Sequence, residues 1–369
     1  MDGSAAEQIA PVVRERATGR VEFLAAARGG ALLYIVLGHV VDWLTIPGAP
    51  TSAAWDQFLG VYNAADHMTA GTRIGILVFM TGVFLERSVT RGLVHFVSTR
   101  ATSLLWPLLL WGLLQAAYFA YAPWPHGVEG FEPREGFARL WNGLLSLNPL
   151  EVLRGWWRLS APLWFLNMLA FFLAAFLLLR LLPKYFVLVG AVALFVFSVA
   201  TPPPAESNPE LTALLVLGPN FLYFWLGTLS YDWVARRNAR ITLLQALACL
   251  AAFLAIALPP VLLGREDWAR FGYVASLPAI PLMLMGARLL LHTPLKWPLL
   301  WAGKSSLLIL CLHMMTLSLA MLAAAAAGVV DPLWLLPLSF AGALGLCLLA
   351  DLVLQRVGWS GALGFRRGG

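Results

Sequence analysis

Arg28-Gly-Gly-Ala-Leu-Leu-Tyr-Ile-Val-Leu-Gly-His39-Val-Val-Asp42-Trp43 is an apolar run interrupted by a few ionisable residues. A helix that crosses a bilayer needs about 20 mostly apolar residues, and this run supplies a span of that kind. Working outward from it, the pattern recurs at roughly 28–46, 72–87, 102–121, 162–182, 185–200, 211–230, 241–263, 270–291, 301–322 and 333–354. The expected fold is all-α, a polytopic transmembrane helix bundle of about ten spans.

Composition points the same way. Of 369 residues, 60% are hydrophobic and only 12% charged, against about 25% charged in ordinary soluble domains. So few charges cannot cover a soluble globule of this size, which excludes a secreted scaffold, a disordered chain and a nucleic-acid binder. The net charge of +6 is scattered through short loops and builds no basic face. Cys249, Cys311 and Cys347 lie inside apolar runs without metal-ligand spacing, so neither a disulfide framework nor a metal site is expected. Residues 1–27 are polar and basic and lack the order of a cleaved signal peptide. They read as a cytoplasmic segment, and the first apolar run as a retained span.

Basic residues in short loops set the orientation. Alternate connections carry Arg87, Arg91 and Arg100, then Arg180 and Lys184, then Arg236, Arg237 and Arg240, then Arg288 and Lys296. Arg356, Arg366 and Arg367 follow the last span, whereas the intervening connections hold Glu206, Glu210 and Asp331. Both termini should be cytoplasmic. The expected organisation is a cytoplasmic segment 1–27, an integral membrane domain 28–355 with a large outer loop 122–161, and a cytoplasmic tail 356–369. Within that loop, Gly136-Phe-Ala-Arg-Leu-Trp-Asn-Gly-Leu-Leu-Ser-Leu147 and Trp156-Trp157 read as an interface-lying stretch with aromatic anchors. It serves either as a lid or as part of an acceptor vestibule.

Ionisable residues inside spans are costly and are functional candidates by default. Arg28 and His39 are eleven residues apart; at 3.6 residues per turn they share one helix face, about 16 Å apart along the axis. Arg28 at the cytoplasmic boundary can hold a phosphate bidentately. His39, deeper in the bilayer, can take a proton from a hydroxyl, because imidazole titrates near neutral pH. Asp42, three residues on, either orients His39 or faces the outer headgroups. The plainer alternatives are a snorkelling Arg28 and an interhelical contact for His39. His313 lies about 18 Å along a span that begins near Trp301, at a depth like that of His39; a shared cavity and a structural contact weigh evenly. Lys304 at the start of that span can bind phosphate or snorkel. Arg73 opens the second span beside Asp66 and His67, as a vestibule residue or as a solvated loop charge.

These segments together resemble the acyltransferase 3 superfamily of membrane O-acyltransferases. Arg28-x10-His39 is similar to its first-span signature. Gly75-Ile-Leu-Val-Phe-Met-Thr-Gly-Val-Phe-Leu85 is similar to its second span, and Arg100-x6-Pro107 with Trp111 to the start of its third. Pro162-Leu-Trp-Phe-Leu166 resembles its Leu-Trp-Phe-Leu box, Phe224-Trp-Leu-Gly-Thr-Leu229 a later span, and Gly303-Lys-Ser-Ser-Leu-Leu-Ile-Leu-Cys-Leu-His313 its closing Ser-Tyr-x-x-Tyr-x-x-His stretch. The pattern departs at Ala25, where the family often has Asp, at Ser103, where it has a second Arg, and at Leu307 and Leu310, where it has tyrosines.

The resemblance implies transfer of an acyl group, with acetyl the first expectation, from cytoplasmic acyl-CoA to a hydroxyl. The implied acceptor is a carbohydrate, glycolipid or glycosylated natural product, and the implied location a bacterial cytoplasmic membrane. No metal and no nucleic acid are expected. His39 would be general base, with Arg28, Asp42 and His313 in the catalytic set and His313 or a nearby hydroxyl stabilising the oxyanion. Arg28, Arg100 and Lys304 would bind the donor, and Trp164 and Arg73 the acceptor. Ser305, Ser306 and Cys311 stay open as covalent nucleophiles. Two rivals remain on the sequence. One is a glycan or lipid exporter, for which an inverted repeat is the usual sign and none is visible. The other is an inactive scaffold, which would tolerate Gln or Asn at position 39.

Overall fold

The computed structural model describes residues 4–45, 52–89, 92–121, 140–152, 163–201, 209–236, 239–264 and 270–365. Among these the chain is helical, and no strand occurs. The long elements are α1 (Ser4–Leu44), α2 (Ala53–Val89), α3 (Leu93–Arg100), α4 (Trp106–Tyr121), α5 (Trp164–Leu179), α6 (Lys184–Ala200), α7 (Pro209–Leu229), α8 (Leu243–Leu262), α9 (Phe271–Leu290), α10 (Lys296–Lys304), α11 (Ser306–Ala326) and α12 (Pro332–Val357). Among the described residues, seven helices are long and apolar enough to cross a membrane. Three shorter apolar helices, Trp164–Leu179, Lys184–Ala200 and Leu214–Leu229, lie where the remaining expected spans fall.

Local sequence explains where several helices start and stop. Thr242 caps α8 in a reciprocal capping box with Gln245. Asp331 accepts the Leu333 N–H at the start of α12, where Pro332 fits the first turn, and Gly358 ends it in a left-handed conformation (φ 75°). Three expectations need correction. The second span was expected from residue 72, but α2 begins at Ala53 and carries Asp56, Asp66 and His67 inside a helix rather than a loop. The third was expected from 102, but the helical stretch begins at Leu93, so Arg100 is intrahelical. The ninth was expected from 301, but α10 ends at Lys304 and α11 starts at Ser306. In the long loop 122–161, 140–145 and 149–152 are helical, and Trp141 donates to the Tyr121 hydroxyl at 3.0 Å. Trp156 and Trp157 lie outside the described residues.

The chain divides into two compact units. The first comprises Met1–Leu33, Ala64–Arg87 and Pro183–Lys304. Its helices meet through glycines at backbone distance. A Cβ on Gly29 would come within 2.0 Å of the Leu299 carbonyl oxygen, and one on Gly303 within 1.8 Å of that of Ala25. Gly82 and Gly227 do the same reciprocally between α2 and α7. Such close approach lets helix backbones pack without bulky side chains, as small-residue motifs do in membranes. Thr72 and Ser276 bond side chain to side chain at 3.1 Å between α2 and α9.

The second unit comprises Tyr34–Asn63, Ser88–Leu182 and Ser305–Gly369. Its core places α11 against α12 and α4. Thr316 meets Cys347 at 3.4 Å, Ser305 donates to the buried Asp351 carboxylate at 2.8 Å, and Gln115 donates to the Cys311 carbonyl. After α12 the chain turns back onto α4. Trp106 donates to the Ala362 carbonyl at 2.7 Å, Trp111 donates to that of Leu363, and Phe365 lies 5.4 Å from the Trp111 ring. This turn ties the last span to the third. Phe365→Ala should destabilise the purified protein by about 1–3 kcal/mol, read as a lowered thermal midpoint in detergent. Trp106→Phe, which loses only one hydrogen bond, should cost less.

Candidate functional site

Helix α1 contributes to both units: Arg28 precedes the division and His39 follows it. In the second unit, His39 and His313 stack, with ring centroids 5.4 Å apart and planes 24° from parallel. The sequence placed the two histidines at similar depth, and the structure makes them neighbours. It does so although α11 starts only at Ser306, which puts His313 about 10 Å into its helix rather than 18 Å. Asp42 lies one turn beyond His39, with its Oδ2 3.7 Å from His39 Nδ1. That distance is too long for a hydrogen bond. The side chains differ sharply in exposure: Asp42 is 58% exposed and His39 20%, while His313 is 0% exposed.

The His313 ring has a definite tautomer. Its Nδ1 is 2.8 Å from the Ile309 carbonyl oxygen, and a carbonyl can only accept. Nδ1 therefore carries the proton, and in the neutral ring Nε2 presents a lone pair. In that form Nε2 accepts rather than donates, and an oxyanion role for His313 would need the ring doubly protonated. Of the candidate nucleophiles, Ser305 is engaged with Asp351, and Cys311 is fully buried. Among the described residues no cluster of three or more His, Cys, Asp or Glu side chains is arranged to hold a metal ion.

In the first unit, the crossing of α1 and α10 carries the donor candidates. Arg28 is next to Gly29 and Lys304 next to Gly303, the two glycines at which the backbones touch. Lys304 is exposed at the end of α10. Lys296, at the other end of α10, pairs with Glu22 at 3.4 Å, and the Arg288 guanidinium stands 5.8 Å over the Phe23 ring. Sequence reading used Arg288 and Lys296 only for orientation. Both contact the start of the first span, from the last turn of α9 and the first residue of α10, close before Lys304 in the chain.

Three further candidates lie on α2, α3 and α5. Arg100 ends α3 immediately before a π-helical turn, Ala101–Leu105, and its guanidinium lies 5.9 Å over Phe96. Single π turns inside helices are frequent at functional sites. The Arg100 Nε is buried without a hydrogen-bond partner among the described residues. Trp164 begins α5 in the second unit. Arg73 belongs to the first unit and pairs with Asp66 at 2.7 Å, two turns earlier on α2.

A family model described as an acyltransferase domain, Acyl_transf_3, matches residues 21–352. No curated protein matches the chain significantly. No solved structure does either.

Proposed function

The chain belongs to the acyltransferase 3 family, and from that premise we propose an O-acyltransferase that moves an acyl group, acetyl first, from cytoplasmic acyl-CoA to a carbohydrate, glycolipid or glycosylated natural product. It would sit in a bacterial cytoplasmic membrane with both termini inside. The observation that carries the reading is the Asp42–His39–His313 arrangement, an imidazole with a carboxylate 3.7 Å from its Nδ1 and a second imidazole stacked on its ring.

With the ring proton on Nδ1, facing Asp42, His39 offers Nε2 as base. The hydroxyl proton passes to Nε2 as the hydroxyl oxygen attacks the thioester carbonyl. The C–O bond forms, the C–S bond breaks, and the proton moves from His39 to the departing thiolate, giving ester and free CoA. The Asp42 charge favours the transient imidazolium, as a carboxylate partner does in other acyl-transfer sites. CoA phosphates are assigned to Arg28 and Lys304, with Arg100 a further donor contact, and the acceptor to Trp164 and Arg73. The basic residues gathered at the α1–α10 crossing support the donor assignment.

Thiol release from acetyl-CoA by the purified chain in nanodiscs tests the reading. Arg28→Ala should raise the KM for acetyl-CoA by about 10–100-fold, the worth of a charge-assisted contact to phosphate, with a smaller change in kcat. Arg28→Lys should recover part of it, since lysine keeps the charge but not the fork. An exporter or an inactive scaffold would release no thiol in any of these proteins.

A further inference from the structure

His313 offers an acceptor that nothing among the described residues uses. Its side chain is fully buried, its Nδ1 proton is held by the Ile309 carbonyl, and its Nε2 is shielded from solvent with no partner among the described residues. A buried acceptor left without a donor is costly, and this one lies on a ring stacked against the proposed base. We propose that His313 Nε2 binds a second hydroxyl of the acyl acceptor, adjacent to the hydroxyl that His39 deprotonates, so that the preferred acceptor is a vicinal diol. This rests on the reading of His39 as base.

The division of roles follows from what each ring touches. Taking a proton creates an imidazolium, and Asp42 lies 3.7 Å from His39 to favour it. His313 has a backbone carbonyl on Nδ1 and a second imidazole against its face. Charging it there, away from water, has no carboxylate to offset the cost. His313 therefore works as a fixed, neutral acceptor. Two stacked rings with centroids 5.4 Å apart are close enough for O–H···N bonds of about 2.8 Å to reach both from hydroxyls on neighbouring carbons. A lone alcohol fills one acceptor and leaves the other empty. Sites built to hydrogen-bond a hydroxyl discriminate strongly against analogues that lack it.

Cyclohexanol and the cis and trans isomers of 1,2-cyclohexanediol are suitable probes, with acetyl-CoA as donor, the full chain in nanodiscs, and ester product measured by mass spectrometry. The wild type should acetylate at least one diol with a kcat/KM about tenfold or more above that of cyclohexanol. His313→Phe keeps a ring to stack on His39 and removes the lone pair; it should bring the diol down to the cyclohexanol level. His313→Asn, which restores an acceptor oxygen, should recover part of the preference. Thermal melts of both variants separate loss of the acceptor from loss of the fold. Equal rates on diol and mono-ol in the wild type, transfer to neither, or a diol preference that survives in a folded His313→Phe would each overturn the proposal. A His39→Ala protein that transfers acetyl as well as the wild type would overturn the base reading beneath it instead.

Discussion

Alanine in place of His39 should lower acyl transfer by about 10²–10⁴-fold, the usual contribution of a positioned general base, with the loss in kcat rather than in the KM for acetyl-CoA. The residues proposed for the donor, Arg28 and Lys304, flank the α1–α10 crossing and do not include the imidazole, so donor binding should persist when it is gone. His39→Asn should fail as well, because an amide hydrogen-bonds but does not take a proton. Asp42→Asn should cost far less, under about tenfold, since its carboxylate is more than half exposed and acts across 3.7 Å without a hydrogen bond. The informative comparison is single-turnover thiol release at saturating acetyl-CoA for these three variants. If the His39→Asn and wild-type rates were equal, the histidine would be structural and the base would have to be sought elsewhere.

Much of this arrangement is legible in the sequence, for identifiable reasons. Spans announce themselves because a bilayer requires long apolar runs whatever the tertiary fold. The shared face of Arg28 and His39 follows from helical periodicity alone. Lateral pairing is different. His39 and His313 are read at similar depth, but depth does not say which helices are neighbours, and only the packed second unit brings the rings to 5.4 Å. Hydropathy also misreads polar helix. The stretch before residue 72 holds Asp56, Asp66 and His67 and looks like a loop, yet Asp66 and Arg73 pair along one face of α2. The break at Ser305 was missed because 301–322 reads as a single span with Lys304, Ser305 and Ser306 at its polar start. At the break the Ser305 hydroxyl reaches Asp351 on another helix, a partner that position along the chain does not announce. The tautomer of His313 was likewise out of reach, since it depends on a carbonyl contact and not on residue type.

The glycines show the same limit and carry the largest stability effect expected. Gly303→Val should abolish or severely reduce folded protein, and Gly303→Ala should already cost about 3 kcal/mol or more. A Cβ at this position would lie 1.8 Å from the Ala25 carbonyl oxygen and 2.5 Å from its carbon. The atoms it meets are backbone, so no side chain can swing aside and α1 must move bodily from α10. Overpacking that yields to small shifts costs about 1–3 kcal/mol, and here the shift needed exceeds 1 Å by ordinary contact distances. Gly286→Ala is the control. It too is a glycine inside a helix of the first unit, but nothing lies within 4 Å of its added Cβ, and in a helix interior Ala is favoured over Gly by about 1 kcal/mol. It should leave the thermal midpoint unchanged or raise it. The two substitutions look alike in sequence and differ only in what stands opposite. Because Arg28 and Lys304 flank the same crossing, whatever Gly303→Ala protein does fold should also bind acetyl-CoA more weakly than wild type, while Gly286→Ala binds it normally. Size-exclusion profiles, detergent melts and donor titrations on the two variants check this. Equal stability of the two would mean that α1 and α10 are not in backbone contact, and the grouping of donor-binding cations there would fall with it.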